Sequence, residues 1–361
     1  MTGAPARRRK PSWLKVKAPE PRHYRATGAL LDELELNTVC REARCPNKGE
    51  CYGSGTATFL ILGDTCTRAC RFCAVAHAGA ASVDDAVGAA VDAADPARAA
   101  TGLCAVDPDE PRRVAEAAMR LGLRHVVITS VTRDDLADGG AGQFAAAVAA
   151  VREELPAATV EVLVPDLGGD DTALAAVLAA RPDVLNHNLE TVARLYPQVR
   201  PQARYAGSLE LLARAAAWAR ELHPVARAGR PRPLVKTGLM VGLGETTDEV
   251  VAVLADAAGA GVDAVTIGQY LQPDADCLPV ARYVEAAEFA SYATRGAALG
   301  LQVAAAPFVR SSYRAGELLE RSAGELLERP AGELLERPAG ELLERPAGEL
   351  LERPAGGRSR S

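Results

Sequence analysis

From Thr58 onward, short β-branched or apolar runs alternate with Ala-rich helical stretches, and this predicts an α/β fold of βα units around a parallel sheet. Six such runs, at 58–63, 125–131, 159–164, 184–188, 235–241 and 264–271, predict a partial (β/α)6 barrel. The intervening helices are expected at 110–121, 141–155, 170–180, 207–222, 246–260 and 285–299, and 302–306 adds a final strand.

The first strand is followed at once by a cysteine-rich turn. In a βα barrel the working residues sit in the loops after the strands, so that turn lies where an active site belongs. Before the barrel, residues 1–57 read as an N-terminal extension with cysteines of its own; the barrel occupies 58–314, and 315–361 is a low-complexity tail. Residues 78–100 carry no motif and read as a surface insertion with one weak helix. The tail is five copies of an octapeptide from Ala315 to Pro354, too short a period for a solenoid unit. A Pro at the end of most copies costs about 3 kcal/mol inside a helix, so a mobile tail is expected.

The 361 residues, 48% of them hydrophobic, suffice for one large domain with extensions. The formal charge of −6 is mostly the tail, whose five repeats are each net −1, leaving −1 elsewhere. That balance argues for neither a nucleic-acid binder nor an enzyme of acidic substrates, and no nucleic-acid partner is expected. No apolar run is long enough to span a bilayer and no secretory apolar core follows the start, so no membrane is expected and a bacterial cytoplasm is preferred to import by the basic stretch 7–11. Eight cysteines in a reducing compartment favour metal ligation over disulfides.

Six of them form two triplets, Cys40-x4-Cys45-x5-Cys51 and Cys66-x3-Cys70-x2-Cys73. Short loops cost little entropy to close, so each triplet can gather its sulfurs on one soft metal centre, and two triplets imply two centres. Structural zinc is disfavoured: the paired CxxC knuckles are missing and His77 is the only nearby imidazole.

The second triplet, with Phe72 at the aromatic position, resembles the CxxxCxΦC signature of radical S-adenosylmethionine enzymes. The resemblance implies a 4Fe-4S cluster with one iron free of protein ligands. That iron takes the amino and carboxylate groups of S-adenosylmethionine, which is then cleaved reductively to a 5′-deoxyadenosyl radical. It also implies that Phe72 packs near the adenine and that the stretch 238–245, with Gly242, lines the adenine site. Gly139 and Gly140 fall where the family supports the methionine amino group, and Asn188 and Glu190 can hydrogen-bond cofactor or substrate, or form a buried satisfied pair.

Both triplets in this order, with Arg9–Leu14, Thr129–Leu136, Asn186–Thr191, Gly268–Pro273 and Arg310–Tyr313, resemble the lipoyl synthase family over most of the chain up to Tyr313. The resemblance implies an auxiliary 4Fe-4S cluster on Cys40, Cys45 and Cys51. Its fourth ligand is the serine of an Arg-Ser-Ser-Tyr motif, by position Ser312, with Ser311 the alternative. It implies sulfur insertion at C6 and C8 of an octanoyl group on a lysine of a lipoyl carrier domain, in the E2 subunits of 2-oxoacid dehydrogenases and the glycine cleavage H protein, with a reducing electron donor. Other readings are a biotin-synthase-like sulfur-insertion enzyme and a two-cluster electron-transfer protein. Cys277 stands where the family usually has His and Ala306 where Gly is common; Cys104 and Cys277 read as buried thiols.

Overall fold

The computed structural model describes residues 9–16, 20–78, 103–221, 233–313 and 315–316. Its strands are β1 (Asn37–Thr38), β2 (Thr58–Ile61), β3 (Thr65–Cys66), β4 (Ala76–His77), β5 (His125–Ser130), β6 (Thr159–Leu163), β7 (Val184–Asn186), β8 (Leu234–Val241), β9 (Ala264–Gln269) and β10 (Gln302–Ala305). All six expected runs and the added seventh become strands of one sheet, ordered β1-β2-β5-β6-β7-β8-β9-β10. Neighbours from β2 to β10 pair in parallel, whereas β1 runs antiparallel on the β2 edge. Every residue of β2 and β9 is buried, as strands covered on both faces require.

The extension contributes three helices that the sequence pattern does not reveal, α1 (Pro21–Glu33), α2 (Val39–Glu42) and α3 (Lys48–Gly53). α1 starts with Pro at its first turn and with Glu20 accepting from the His23 amide at 2.7 Å. It buries Thr27, Leu30 and Leu31, and the Thr27 hydroxyl donates to the Tyr52 carbonyl of α3 at 2.9 Å. Six barrel helices follow as expected, α4 (Glu110–Arg120), α5 (Ala141–Glu154), α6 (Asp171–Ala179), α8 (Tyr205–Glu221), α9 (Thr247–Gly259) and α10 (Ala286–Ala298), and a short α7 (Tyr196–Val199) that was not expected precedes α8. A reciprocal Thr246–Glu249 cap starts α9. The expected surface insertion falls, but for Ala78, outside the described residues, as does the repeat tail beyond residue 316.

The sheet is curled, and chain geometry requires it. Ser312, seven residues past β10, accepts a hydrogen bond at 2.8 Å from Thr58 at the start of β2. A flat sheet would separate these edges by six strand spacings, about 29 Å. The connecting chain makes two turns, Val309 N to Ala306 O and Tyr313 N to Arg310 O. Even laid end to end in a straight line, two turns of under about 7 Å, two steps of about 3.8 Å and the two hydrogen-bonding side chains only just span about 29 Å, and a path through two chain reversals falls well short of that.

This closing segment lies directly on the sheet because two strands carry glycine beneath it. A Cβ on Gly268 of β9 would stand 2.0 Å from the Val309 carbonyl oxygen, and one on Gly238 of β8 would stand 2.5 Å from Ser311 Oγ. It is tied to the extension by Asn47 Nδ2, which donates to the Phe308 carbonyl at 2.7 Å, and by Tyr313, whose hydroxyl donates to Glu50 at 2.8 Å. An ion pair between Arg44 and Asp274 ties the extension to the loop after β9 as well.

Beneath the segment sits a buried ion pair. Lys236 of β8 meets both carboxylate oxygens of Glu161 of β6, at 2.9 and 3.2 Å, with side-chain exposures of 2% and 1%. Asn186 of β7 donates to the same carboxylate at 2.9 Å, and the Lys236 ammonium also donates to the Ser311 carbonyl.

Candidate metal centres

Cys66 ends β3, and Cys70 and Cys73 lie in the turn that follows. This turn is fastened to the loops after four other strands. Thr67 N donates to Thr132 O after β5, Arg71 N to Val199 O after β7, and Leu278 N, after β9, donates to Arg71 O. The Arg68 guanidinium bridges Asp134, at 2.7 and 2.8 Å, and Asp166 after β6, at 2.5 Å. The Ala69 amide donates to Gln202 at 2.8 Å, and the Cys277 thiol donates to the Cys73 carbonyl at 3.3 Å. Cys66 Sγ accepts from the amides of Arg68 and Thr132 at 3.4 and 3.3 Å, donors that stabilise a thiolate or a metal-bound sulfur.

The three sulfurs are close enough to act on one another electrostatically. Burial pushes the Cys73 thiol up to about 12, with the Cys70 and Cys66 charges adding to the rise. Burial also raises Cys70, against the pull of the neighbouring Arg200 guanidinium. Such thiols lose their protons readily only to a metal that replaces the lost solvation.

Arg200 donates to the Asn188 carbonyl at 3.0 Å and to the Tyr196 hydroxyl at 3.2 Å, yet its buried Nε finds no acceptor. A buried guanidinium with an unsatisfied donor beside the Cys70 thiol fits an anionic ligand. Glu190 faces Arg200 and Arg310, and burial raises its carboxyl above the ordinary range against their pull. Its φ of 65° is left-handed, a conformation of order 1–3 kcal/mol for a residue with a side chain. Backbone bonds hold it there, Glu190 N to Gly238 O and Met240 N to Glu190 O, each 2.9 Å. Asn188 donates to the Glu190 carboxylate at 3.0 Å and accepts from the Ser311 hydroxyl at 2.7 Å.

The first triplet spans α2, the loop after it and α3. The Cys40 and Cys51 thiols act on each other, which pulls Cys40 down to about 7 and pushes Cys51 up. Burial raises Cys45, with the Cys40 charge adding and Arg310 opposing. The Thr58 amide faces the Cys40 sulfur while the Thr58 side chain holds Ser312 Oγ, so Ser312 is brought to the triplet and the Ser311 hydroxyl points to Asn188 instead. Among the described residues, no group of three or more His, Cys, Asp and Glu side chains converges as ligands of one ion do. A cubane asks for wider spacing, because each thiolate binds a different iron. The charged row Arg310, Glu190, Arg200 connects Cys45 of one triplet with Cys70 of the other.

Other expected residues have structural reasons of their own. Gly139 and Gly140 both have positive φ; a Cβ on Gly140 would stand 2.2 Å from Leu62 Cδ1, and the Gly140 amide donates to Asp138 at 2.9 Å as α5 begins. Gly242, at φ 103°, would carry a Cβ 2.2 Å from Gln269 Nε2. Phe72 is half-buried against the core. Cys277 is a buried thiol as expected, but Cys104 is exposed. The chain enters α4 over the surface with Leu103 turned inward, which leaves its neighbour Cys104 facing out. Arg200, Lys236 and Glu161 were not singled out by sequence, since nothing in their spacing marks them.

The Radical SAM superfamily model matches residues 60–257, more than half of the chain, and the model of the N-terminal domain of lipoyl synthase matches residues 2–45. Lipoyl synthase of Nitratidesulfovibrio vulgaris (strain Hildenborough) is 51% identical over 306 residues, covering 84% of this chain and 91% of its own. The chain belongs to the lipoyl synthase family. Lipoyl synthases of Rubrobacter xylanophilus, 47% identical over 86% of this chain and 87% of their counterpart, and of Thermus thermophilus, 49% identical over the same shares, agree. The protein is therefore a radical S-adenosylmethionine enzyme, a sulfurtransferase of lipoyl cofactor synthesis, with 4Fe-4S clusters and S-adenosylmethionine as its cofactors. Neither the biotin-synthase-like reading nor the electron-transfer reading gains support from these relatives.

Proposed function

We propose that the enzyme inserts sulfur at C6 and C8 of an octanoyl group held on a lysine of a lipoyl carrier domain, with its two thiol clusters dividing the work. Cys66, Cys70 and Cys73 ligate the cluster that binds S-adenosylmethionine, and Cys40, Cys45, Cys51 and Ser312 ligate the auxiliary one. When bound, the two clusters supply reductive cleavage of S-adenosylmethionine and donation of sulfur. The observation that carries this reading is the contact between Ser312 and Thr58, 254 residues apart in sequence, beside the sulfur of Cys40.

Residues 1–57 serve as the auxiliary extension and 58–314 as the radical barrel. Arg200, with its open Nε, takes the carboxylate of S-adenosylmethionine, while Asn188 and Glu190 offer acceptors and a donor to its polar groups. Phe72, Gly242, Gly139 and Gly140 form the surrounding walls and turns. The carriers are E2 subunits of 2-oxoacid dehydrogenases and the glycine cleavage H protein, met in a bacterial cytoplasm with a reducing electron donor. No helix among the described residues is long and apolar enough to cross a membrane.

Anaerobic turnover on an octanoylated carrier peptide tests the function: the peptide mass is expected to show two hydrogens replaced by two sulfurs, and a chain that cleaves S-adenosylmethionine without altering the peptide counts against it. Ser312→Cys is expected to keep an auxiliary cluster, since thiolate is the softer iron ligand, yet to make little lipoyl product. Ser311→Ala is expected to be milder, and a defect confined to it would move the ligand one residue back. Arg200→Met removes a charged hydrogen bond of about 1.5–3 kcal/mol, so S-adenosylmethionine affinity is expected to fall about 10- to 100-fold with iron content unchanged, as measured by equilibrium binding.

A further inference from the structure

The oxygen of Ser312 is not alone. Thr58 is the first residue of β2, 6% exposed, and its hydroxyl donates to Ser312 Oγ at 2.8 Å while its own amide faces the Cys40 sulfur. One residue thus addresses two groups of the proposed auxiliary site from the first parallel strand of the barrel. The serine segment is fixed independently on its other sides, by Lys236 at the Ser311 carbonyl and by Asn188 at the Ser311 hydroxyl. Its position therefore does not hang on Thr58 alone, and the Thr58 hydroxyl bears on the oxygen itself.

A hydrogen bond donated to a ligand atom draws electron density away from the metal bond. Such outer bonds raise the reduction potential of an iron-sulfur centre and weaken the ligand's hold. An oxygen ligand is already the poorer partner of iron in a thiolate set.

We propose that Thr58 is a positioning residue of sulfur insertion, whose hydroxyl polarises Ser312 Oγ and so sets both the potential of the auxiliary cluster and the ease with which the serine lets its iron go. This rests on Ser312 being the fourth ligand. Val and Ser divide the question cleanly. Thr58→Val keeps the size, the strand preference and the amide at Cys40 and removes only the hydroxyl, whereas Thr58→Ser keeps the hydroxyl.

The test uses the full chain with Cys66, Cys70 and Cys73 replaced by Ala, reconstituted anaerobically, so that the auxiliary cluster is the only one present. Its midpoint potential is measured by spectroscopic redox titration, with iron content and thermal midpoint recorded alongside. Thr58→Val is expected to shift the potential to a more negative value with iron still bound, and Thr58→Ser to return it. In the enzyme with both cysteine sets intact, Thr58→Val is expected to lower lipoyl formation several-fold while leaving S-adenosylmethionine cleavage in place. If Ser312→Ala changes the cluster's spectrum and Thr58→Val leaves its potential unmoved, the role of Thr58 is overturned and Ser312 stands as ligand. If Ser312→Ala changes nothing, the ligand assignment falls and the proposal falls with it. A Thr58→Val protein that loses thermal stability but keeps its potential would make the bond a structural tie only, which also overturns it.

Discussion

Replacing any one of Cys66, Cys70 and Cys73 by Ala is expected to abolish cleavage of S-adenosylmethionine, whereas replacing Cys40, Cys45 or Cys51 is expected to spare cleavage and end lipoyl formation. The two outcomes follow from where the sulfurs sit. Cys66, Cys70 and Cys73 share a turn with Arg200 and Glu190 at hand, the groups suited to a zwitterionic ligand. With a thiolate removed, the open-iron site cannot form, and no acid or base on the chain can break an unactivated C–H bond in its place. The other triplet lies in the extension, on α2 and α3, fastened to the barrel by Asn47, Glu50 and Thr58 rather than built into its loops. Iron analysis of each variant, with 5′-deoxyadenosine and lipoyl peptide quantified separately, checks the division. Equal loss of cleavage from both sets would show that the two centres do not work independently.

Lys236→Met is expected to destabilise the fold by about 3–5 kcal/mol, because it leaves the Glu161 carboxylate buried without its counter-charge. Against a total of about 5–15 kcal/mol for a typical domain, that is a large fraction. The pH dependence is expected to change sign. In the native chain burial alone would raise the Glu161 carboxyl, but Lys236, and then His125, bring it down to about 2. A carboxyl depressed on folding contributes stability above its unfolded value near 4.3 and loses that contribution as pH falls toward 2. Without Lys236, burial wins and the folded value rises above the unfolded one, so the variant gains stability as the pH drops from 7 toward 5. Adding Glu161→Gln to Lys236→Met removes the stranded charge and is expected to restore most of the loss at neutral pH. Thermal melts at several pH values for the single and double variants read this out. A single variant whose melting point tracked the native protein at every pH would show that the pair contributes nothing.

The strands were legible because parallel strands buried on both faces are written as continuous apolar runs, and 58–63 or 264–271 has no other reading. The last residues of some runs were not. Asn188 continues the pattern of β7, but the chain leaves the ladder after Asn186 so that Glu190 can turn left-handed and bridge to Leu239. α1 is not legible in the sequence because only Thr27, Leu30 and Leu31 of its thirteen residues are buried, too few for a periodic signal, although its Glu-Pro start is a readable cap. The six cysteines and Ser312 announce themselves by motif. Thr58, Arg200 and Lys236 do not, since each takes its meaning from groups far away in sequence: Ser312 for Thr58, Cys70 for Arg200, Glu161 for Lys236. A single sequence holds no trace of such partners.

The closing segment also fixes an order of assembly. Thr58 and the auxiliary cysteines leave the ribosome long before Ser312, which is 254 residues farther on than Thr58. At about 5–20 residues per second, that gap lasts about 13–50 s. Throughout it the extension can gather its thiols but lacks the serine proposed as their oxygen partner, and Thr58 is without its contact to the closing segment. On the proposed ligand set, maturation of the auxiliary centre waits for the synthesis of Ser312, and a nascent chain halted before Arg310 presents three cysteines without the residue proposed to complete the site.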